Sequence, residues 1–169
     1  VLAIRNGRNR PARDDKAVVA WNAMAAGALA RGGRLLDRKP WIERAEELGT
    51  LLCDLDRHQG LLPRTFEPNS PPGVLEDHAF LAEALLDLYE ATGNPKWLLN
   101  CVDLLDSALP HFEAPRNQGF YRSANTKLLV RQRPFEDGAE PSGLSRMGQC
   151  LLRLQAYGHR LGDHPGLKG

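Results

Sequence analysis

Residues 73–93, GVLEDHAFLAEALLDLYEATG, predict the helix around which the rest of the chain is organised. The segment from Leu75 to Ala91 is apolar on nearly every side, which is typical of a helix that is buried all round. It begins with three consecutive titratable residues, Glu76, Asp77 and His78, and Gly93 follows its end. We therefore predict a buried helix with a polar N-terminus.

The same pattern occurs three times along the chain, each time as a buried helix followed by a more polar one. The predicted buried helices run from Ala17 to Arg31, Leu75 to Ala91 and Ser142 to Arg160, and the polar ones from Pro40 to Arg57, from Pro95 to Leu109 and from His164-Pro165 onwards. Units of two helices that repeat every roughly 55 to 70 residues predict an array of helical hairpins, in which each unit buries a face of its neighbour. We therefore predict an all-α fold that forms part of a toroid, because three inner helices are too few to close a ring.

Two short apolar segments interrupt the helical pattern. Gly119–Tyr121 and Leu128–Arg133 flank a polar stretch at Ser123–Lys127, which is typical of two short strands joined by a turn. We expect a short β-hairpin insertion between the second and third helical units.

The charge of the chain argues against two classes of partner. With 22 basic and 21 acidic residues it carries a formal net charge of +1, so no broad field would attract nucleic acid or a membrane surface. No apolar run reaches the length of about 18 residues that crosses a bilayer. We therefore expect a small-molecule or protein partner, no nucleic acid and no membrane.

The three cysteines, Cys53, Cys101 and Cys150, are far apart and have neither CxxC nor zinc-site spacing. We expect them to be buried thiols in a reducing cytoplasm, and we predict no metal and no cofactor. The sequence begins at Val1 without Met or a signal peptide, so we expect a fragment of a longer cytoplasmic protein.

Long connections lead into the buried helices, so we expect the N-termini of these helices to lie on one face of the molecule. Two carboxylates in different environments can divide the roles of general acid and general base. Asp77 with Asp137 or Glu140 is therefore the predicted catalytic pair, and the separation of the carboxyl groups would distinguish inverting from retaining hydrolysis. Glu76 and His78 are further catalytic candidates. The candidate ligand contacts are Asp15, Trp21, Asn22, Arg64, Glu140 and Ser142.

Several of these residues have a structural alternative. Asp15 and Ser142 have the chemistry of helix N-caps. The alternative for Glu76-Asp77-His78 is a polar helix start in solvent, and a lone histidine such as His78 is often structural. For Trp21, the alternative to a sugar-stacking platform is packing in the core.

Six motifs resemble a known family. They are RPARDDK (10–16), AWNA (20–23), LEDHAFL (75–81), LDLYEAT (86–92), GFY (119–121) and DGAEPSG (137–143), and they occur in the family's order over nearly the whole chain. The sequence resembles the spermatogenesis-associated protein 20-like (YyaL-type) family, in which a thioredoxin-like domain precedes an (α/α)6 barrel. Ala23, His78 and Leu144 depart from the family pattern of Gly, Tyr and Asn at these positions.

The resemblance implies that residues 1–169 are part of an (α/α)6 toroid of the six-hairpin glycosidase-like kind, similar in shape to the N-acylglucosamine 2-epimerase group. It also implies that a thioredoxin-like domain lies upstream and is absent from this chain. It implies no established reaction, and a likeness in fold to sugar enzymes is an analogy.

The sequence leaves open whether the chain is an enzyme, and it gives two main hypotheses. The first is a carbohydrate-active or sugar-isomerising, epimerase-like domain, in which carboxylates at the inner-helix N-termini act as acid and base while Arg64 and Asn22 orient hydroxyl groups. The second is a non-catalytic toroid that binds a ligand or a protein and works with the upstream thioredoxin-like domain. A purely structural half-domain is a third alternative.

Overall fold

The computed structural model describes residues 2–9, 12–115 and 118–158, and within these ranges it contains six helices. They are α1 (Leu2–Asn6), α2 (Val19–Leu35), α3 (Lys39–Cys53), α4 (Leu75–Thr92), α5 (Pro95–Phe112) and α6 (Gly143–Ala156). The prediction of a helical chain is confirmed. The last helix ends at Ala156, before the predicted end at Arg160, and the helix predicted from His164-Pro165 lies outside the described residues.

α4 is the central helix, since it contacts α2, α3, α5 and α6. Twelve of its eighteen residues are buried, which confirms the prediction of a helix buried nearly all round. At its end Gly93 has a φ of 67°, a left-handed conformation that glycine adopts without strain. The N–H of Gly93 donates to the carbonyl of Tyr89 at 2.8 Å and so closes the last turn.

α2 is less completely buried than its composition predicts. Its buried side consists of small residues, namely Val19, Ala20, Ala23, Ala26, Gly27, Ala30 and Gly33. Small side chains allow α2 to lie close to α3 and α4, the helices against which it mainly packs. Trp21 lies outside this packed side and is 52% exposed.

The prediction that this helix ends at Arg31, before Gly32 and Gly33, is wrong. α2 continues to Leu35, and Gly33 lies where it meets α3. A Cβ at Gly33 would lie 2.6 Å from Cγ1 of Ile42, so glycine serves the close approach of two helices and not the end of one.

α3 and α5 are the more polar partners of the buried helices. α3 buries Ala45, Gly49 and Leu52, and its remaining surface is largely charged or polar. α5 buries eight residues on the side that faces α4, among them Trp97 and Phe112. The predicted alternation of buried and wetter helices is therefore present in the first two units.

The β-hairpin predicted within residues 119–133 does not form. Phe120 makes an isolated antiparallel bridge with Glu113, and the N–H of Arg122, just after the first predicted strand, donates to the carbonyl of Gln132 in the second at 2.8 Å. The guanidinium of Arg131 donates to the carbonyl of Ser123 at 2.7 and 2.9 Å, so a side chain engages a carbonyl that a strand ladder would use. Residues 128–130 lie in an exposed loop.

Candidate functional site

Three contacts bring together the starts of α2, α4 and α6. The N–H of Ala20 in α2 donates to the Asp77 carboxylate in α4 at 3.1 Å. Glu76 packs so closely on the first residue of α6 that a Cβ at Gly143 would lie 2.9 Å from its Cγ. Trp21 Nε1–H donates to the carboxylate of Glu140, just before α6. We call this region, the first turns of α2, α4 and α6 with residues 137–142, the mouth.

The Asp77 carboxylate is fully buried at the centre of the mouth. Besides the N–H of Ala20 it accepts the N–H of Val74 at 2.8 Å, and Arg64 Nη1 donates to its two oxygens at 2.8 and 2.9 Å. An ionised carboxylate offers about four lone-pair sites, and all of them are engaged here. Asp77 therefore joins the starts of two helices to an arginine.

Burial raises the pKa of Asp77 above its ordinary value, although the hydrogen bonds and the charge of Arg64 favour the ionised form. The Arg64 side chain is 28% exposed, so the ion pair has one wet edge. A substrate could reach the Asp77 oxygens only by displacing Arg64 or a helix N–H. The geometry therefore favours a structural role for Asp77 over the predicted role of acid or base.

His78 is buried, and both ring nitrogens have a backbone partner. Nδ1 lies 2.9 Å from the carbonyl of Val74, and Nε2 accepts the N–H of Leu62 at 3.0 Å. Because a carbonyl can only accept, the proton is on Nδ1 and the ring is neutral. Burial lowers the pKa of His78 to about 4, and the ring packs on Phe112 with centroids 5.1 Å apart. These contacts are those of a structural histidine, which is the alternative to a catalytic role for His78.

Glu76 has one engaged and one unengaged oxygen. Its Oε1 accepts from Arg122 Nε at 2.9 Å. Its Oε2 is buried and has no hydrogen-bond partner among the described residues. The alternative for residues 76–78 is a polar helix start in solvent. It is wrong for Glu76, because only 13% of this side chain is exposed.

Asn22 and Ser142 have local structural contacts in the mouth. The side-chain amide of Asn22 donates to the carbonyl of Val18 at 2.8 Å. Ser142 Oγ accepts the N–H of Ser145 at 3.3 Å and donates to the carbonyl of Pro134 at 3.0 Å. Ser142 is thus the N-cap of α6, as the sequence predicts.

Asp15 and Asp137, the two candidate site aspartates that are exposed, have different roles. Asp137 accepts the N–H of Ser142 at 2.8 Å and so fixes the loop before α6. Asp15 pairs with Arg13 at 2.5 Å in solvent and does not cap α2. α2 has Val18 at its N-cap position, and its first two N–H groups donate to the Arg64 carbonyl and to Asp77. The N-cap alternative for Asp15 is therefore wrong, because a tertiary partner satisfies this helix end.

A groove of about 380 Å³ opens beside the start of α4. Arg64 and Arg122 lie in its wall together with Ser123 and Gln132. Each arginine is also paired with an acid of the mouth, so the groove places two guanidinium groups next to the predicted site residues.

A second charged cluster was not predicted from the sequence. Glu83, Asp87 and Glu90 form a stripe along α4, and four arginines of the flanking helices pair with them. The pairs are Arg31 with Glu83 and Asp87, Arg34 with Glu90, Arg146 with Glu83, and Arg153 with Asp87 and Glu90. We call these seven residues the ionic ladder. The sequence feature that could have predicted this cluster is the spacing of Glu83, Asp87 and Glu90 at i, i+4 and i+7, which places them on one side of a largely apolar helix.

Asp87 is the most buried member of the ionic ladder, with 2% of its side chain exposed. Burial raises its pKa to about 6, against the opposing effect of Arg31 and Arg153. Its Oδ1 accepts from Arg153 Nη2 at 2.9 Å. Its Oδ2 has no hydrogen-bond partner within the described ranges, although Arg31 Nε lies 3.3 Å away.

The cysteines are free, and two of them are inert by environment. Burial raises the pKa of Cys101 well above its ordinary value and that of Cys150 to about 12, so neither thiol ionises near neutral pH. In the part of the chain that the structure describes, no cluster of His, Cys, Asp and Glu is arranged to hold a metal ion. Nor does any described helix have the length and hydropathy needed to cross a membrane.

The chain is similar to longer animal proteins. It is 33% identical over 172 residues to spermatogenesis-associated protein 20 of Mus musculus and of Homo sapiens, and each match covers 92% of this chain. A Caenorhabditis elegans protein that is named only as uncharacterised is 28% identical over 162 residues, or 89% of this chain. No family model matches the sequence.

The chain spans 22% of the length of each of these relatives, so the comparison concerns one segment of them. The matched part of this chain includes the residues of the mouth and of the ionic ladder, because the match covers 92% of the chain. Over this segment the chain is therefore similar to spermatogenesis-associated protein 20.

Proposed function

We propose that this chain is a binding domain whose mouth holds a small polyhydroxy ligand such as a sugar, without catalysing its conversion. The observation that carries the proposal is the exposed indole of Trp21, which donates its N–H to Glu140. An aromatic face beside a fixed carboxylate provides a stacking surface and a hydrogen-bond acceptor for a hydroxyl group. Asp77 and His78, which lie deeper in the mouth, hold the helices in place through their bonds to the backbone N–H groups of Ala20 and Leu62.

The same proposal includes the larger architecture. α4 lies between α2 and α6, and the starts of the three helices meet, which supports three successive inner helices of an (α/α)6 toroid. The relatives are several times longer than this chain, which leaves room for the remaining hairpins and for a thioredoxin-like domain that works with the toroid. Burial of Cys101 and Cys150 as free thiols supports a reducing, cytoplasmic location.

Fluorescence titration of the protein with a panel of monosaccharides and polyols tests the proposal, because Trp21 reports on its own environment. We expect a saturable change with at least one of these ligands. In calorimetry, which does not need the indole as a reporter, Trp21→Ala should weaken this binding by roughly two- to tenfold, since aromatic stacking contributes roughly 0.5–1.5 kcal/mol. Trp41→Phe is the matched control, because Trp41 is 43% exposed but packs on Gly32 towards the other end of α2.

Calorimetry with Glu140→Gln gives a second measurement that does not depend on fluorescence. We expect weaker binding here too, since an amide replaces the charged acceptor beside Trp21. Equal affinity of the wild-type protein, Trp21→Ala and Glu140→Gln for the ligand would contradict the proposed site. So would the lack of a saturable change with every member of the panel.

Catalysis by two carboxylates is the second candidate, and one observation favours it. Burial raises the pKa of Asp77, while Asp137 is exposed, so the two groups lie in different environments as acid and base require. The test is turnover of the same sugars by the full-length protein and by its Asp137→Asn variant. A loss of about a hundredfold or more in kcat with Asp137→Asn would support catalysis. If the wild-type protein converts none of these sugars, binding without catalysis remains the proposed function.

A further inference from the structure

The groove of about 380 Å³ beside the start of α4 has Arg64 and Arg122 in its wall, and we call it the arginine groove. None of the described residues that line it belongs to the mouth, although its two arginines pair with Asp77 and Glu76 there. We infer that the arginine groove binds the phosphate group of a small molecule between these two guanidinium groups. The inference does not depend on the sugar site proposed above, because that site uses other residues.

The first support is the set of N–H donors that the two arginines retain. Arg64 uses only Nη1 for the oxygens of Asp77, at 2.8 and 2.9 Å, and Arg122 uses Nε for Glu76 at 2.9 Å. Since a guanidinium group has five N–H donors, Arg64 retains Nε and Nη2, and Arg122 retains both Nη groups. The two side chains are 28% and 45% exposed, so an anion from solvent can reach them.

The second support is an excess of positive charge next to the arginine groove. Acids of the mouth balance the two groove arginines themselves. Residues 114–135 contain no acid, while Lys127, Arg131 and Arg133 add three positive charges to this segment. Arg131 and Arg133 lie over the ring of Tyr121, at 4.1 and 5.8 Å from its centroid, and Tyr121 adjoins a groove arginine in sequence. A phosphate monoester carries about 1.5 to 2 negative charges at pH 7, which this excess favours.

The third support is the set of hydrogen bonds that hold the wall of the arginine groove in place. The N–H of Leu75 donates to the carbonyl of Arg122 at 2.9 Å, and the N–H of Arg122 donates to the carbonyl of Gln132 at 2.8 Å. The guanidinium of Arg131 fixes the carbonyl of Ser123 at 2.7 and 2.9 Å. These bonds join the loop after α5 to the start of α4. A site that is formed before binding loses less entropy when the ligand binds.

The lining and the volume restrict the rest of the ligand. Val74, Leu128 and Val130 provide apolar contacts, while the hydroxyl of Ser123 and the amide of Gln132 can bond to hydroxyl groups. At about 30 Å³ for each water-sized group, 380 Å³ holds about a dozen non-hydrogen atoms. Because a phosphate group accounts for about five of these atoms, the phosphate esters of three-carbon polyols fit within this limit.

Isothermal titration calorimetry in a phosphate-free buffer tests the inference with inorganic phosphate, glycerol 3-phosphate, glycerate and glycerol. The first two carry a phosphate group, glycerate carries a carboxylate instead, and glycerol has no charge. We expect saturable binding of at least one phosphate compound, about tenfold or more tighter than that of glycerate and glycerol. The relative affinity of the two phosphate compounds distinguishes free phosphate from an ester as the ligand. Equal binding of glycerate or glycerol would overturn the inference, and so would the lack of saturable binding of both phosphate compounds.

Arg122→Gln gives the complementary test in the arginine groove. We expect this variant to bind the tighter phosphate compound about tenfold or more weakly, because it loses charged hydrogen-bond donors. Arg34→Gln is the matched control, since Arg34 is 46% exposed, pairs with a glutamate as Arg122 does, and does not line the groove. The control should retain full affinity. Unchanged affinity in Arg122→Gln would overturn the inference.

Gln132→Glu is decisive if Arg122→Gln does not fold, because Gln132 is an exposed residue of the groove wall and its replacement adds a negative charge there. We expect this variant also to weaken phosphate binding by about tenfold or more, and unchanged affinity would again overturn the inference. Trp21→Ala should bind phosphate as tightly as the wild-type protein, which separates the arginine groove from the proposed sugar site.

Discussion

The backbone N–H of Ala20 donates to the carboxylate of Asp77 at 3.1 Å, so a residue 57 positions later in the chain caps the start of α2. The same carboxylate accepts the N–H of Val74 at the start of its own helix. One buried acid thus fixes the relative position of two helices, and Arg64 neutralises its charge. This arrangement explains why a buried acid stands at the second position after the start of α4 at Leu75.

Asp77→Asn should destabilise the fold by about 3 kcal/mol, because the amide carries no charge to balance Arg64 and its NH2 group replaces one of the two oxygens that accept the N–H groups of Ala20 and Val74. Urea denaturation monitored by circular dichroism measures the loss. Asp103→Asn is the control, since Asp103 is 74% exposed and pairs with Arg57 at the surface. The control should change the free energy of unfolding by less than about 1 kcal/mol. Equal effects of the two variants would contradict the structural role of Asp77.

His78 should make stability fall as the pH falls. Its pKa is about 4 in the folded protein and 6.5 for a free side chain, so between these values the unfolded state binds a proton that the folded state does not. The contribution is fully present above pH 6.5 and is lost as the pH decreases towards 4. From about pH 7 to about pH 5 this group should account for a loss of about 2 kcal/mol.

The comparison of wild type with His78→Gln isolates this effect, because glutamine can accept the N–H of Leu62 and does not titrate. Asp87 acts in the opposite direction, since its raised pKa of about 6 makes the folded state gain stability as the pH falls below that value. Its contribution is common to both proteins and cancels in the difference. A pH dependence that is the same in both proteins would show that His78 is not the cause.

Gly49→Ala should destabilise the protein by roughly 1–3 kcal/mol through overpacking. A Cβ at this position would lie 2.5 Å from Cδ1 of Leu88 and 3.1 Å from the ring of Trp97. Gly148→Ala is the matched control in α6, because nothing lies within 4 Å of its Cβ position. The control should stabilise the helix by about 0.5–1 kcal/mol. Thermal unfolding of both variants measures the difference, and a destabilised control would contradict this assignment.

Arg153→Met should destabilise the protein by roughly 2–3 kcal/mol at neutral pH, because Asp87 would lose a hydrogen-bonded cation. The loss should be smaller near pH 5, below the pKa of about 6 for Asp87, since a neutral carboxyl group needs no counter-charge. Chemical denaturation at both pH values measures this. Arg44→Met, which removes an exposed pair with Glu47 on α3, should change stability by less than about 1 kcal/mol at either pH. A loss that does not depend on pH would contradict the role of Asp87.

Much of the helical framework could be predicted because it depends on local patterns. The apolar periodicity around Phe80 gives α4, Pro95 starts α5, and the hydroxyl of Ser142 caps α6 as expected. These signals lie within a few residues of the feature that they determine. The extension of α2 through Gly33 was missed, because the reason for that glycine is a contact with Ile42 of another helix.

The sequence by itself determined the order of buried and polar helices, the polar start of α4 and the absence of a large charge excess. Tertiary structure alone decided what the polar residues do: Asp77 caps α2, His78 bonds to the backbone, and the acids of α4 meet arginines of α2 and α6. The physical reason is that hydrogen bonds and ion pairs form between groups brought together by packing. Periodicity reports which side of a helix is buried, and it does not report the partner that a buried polar atom will find.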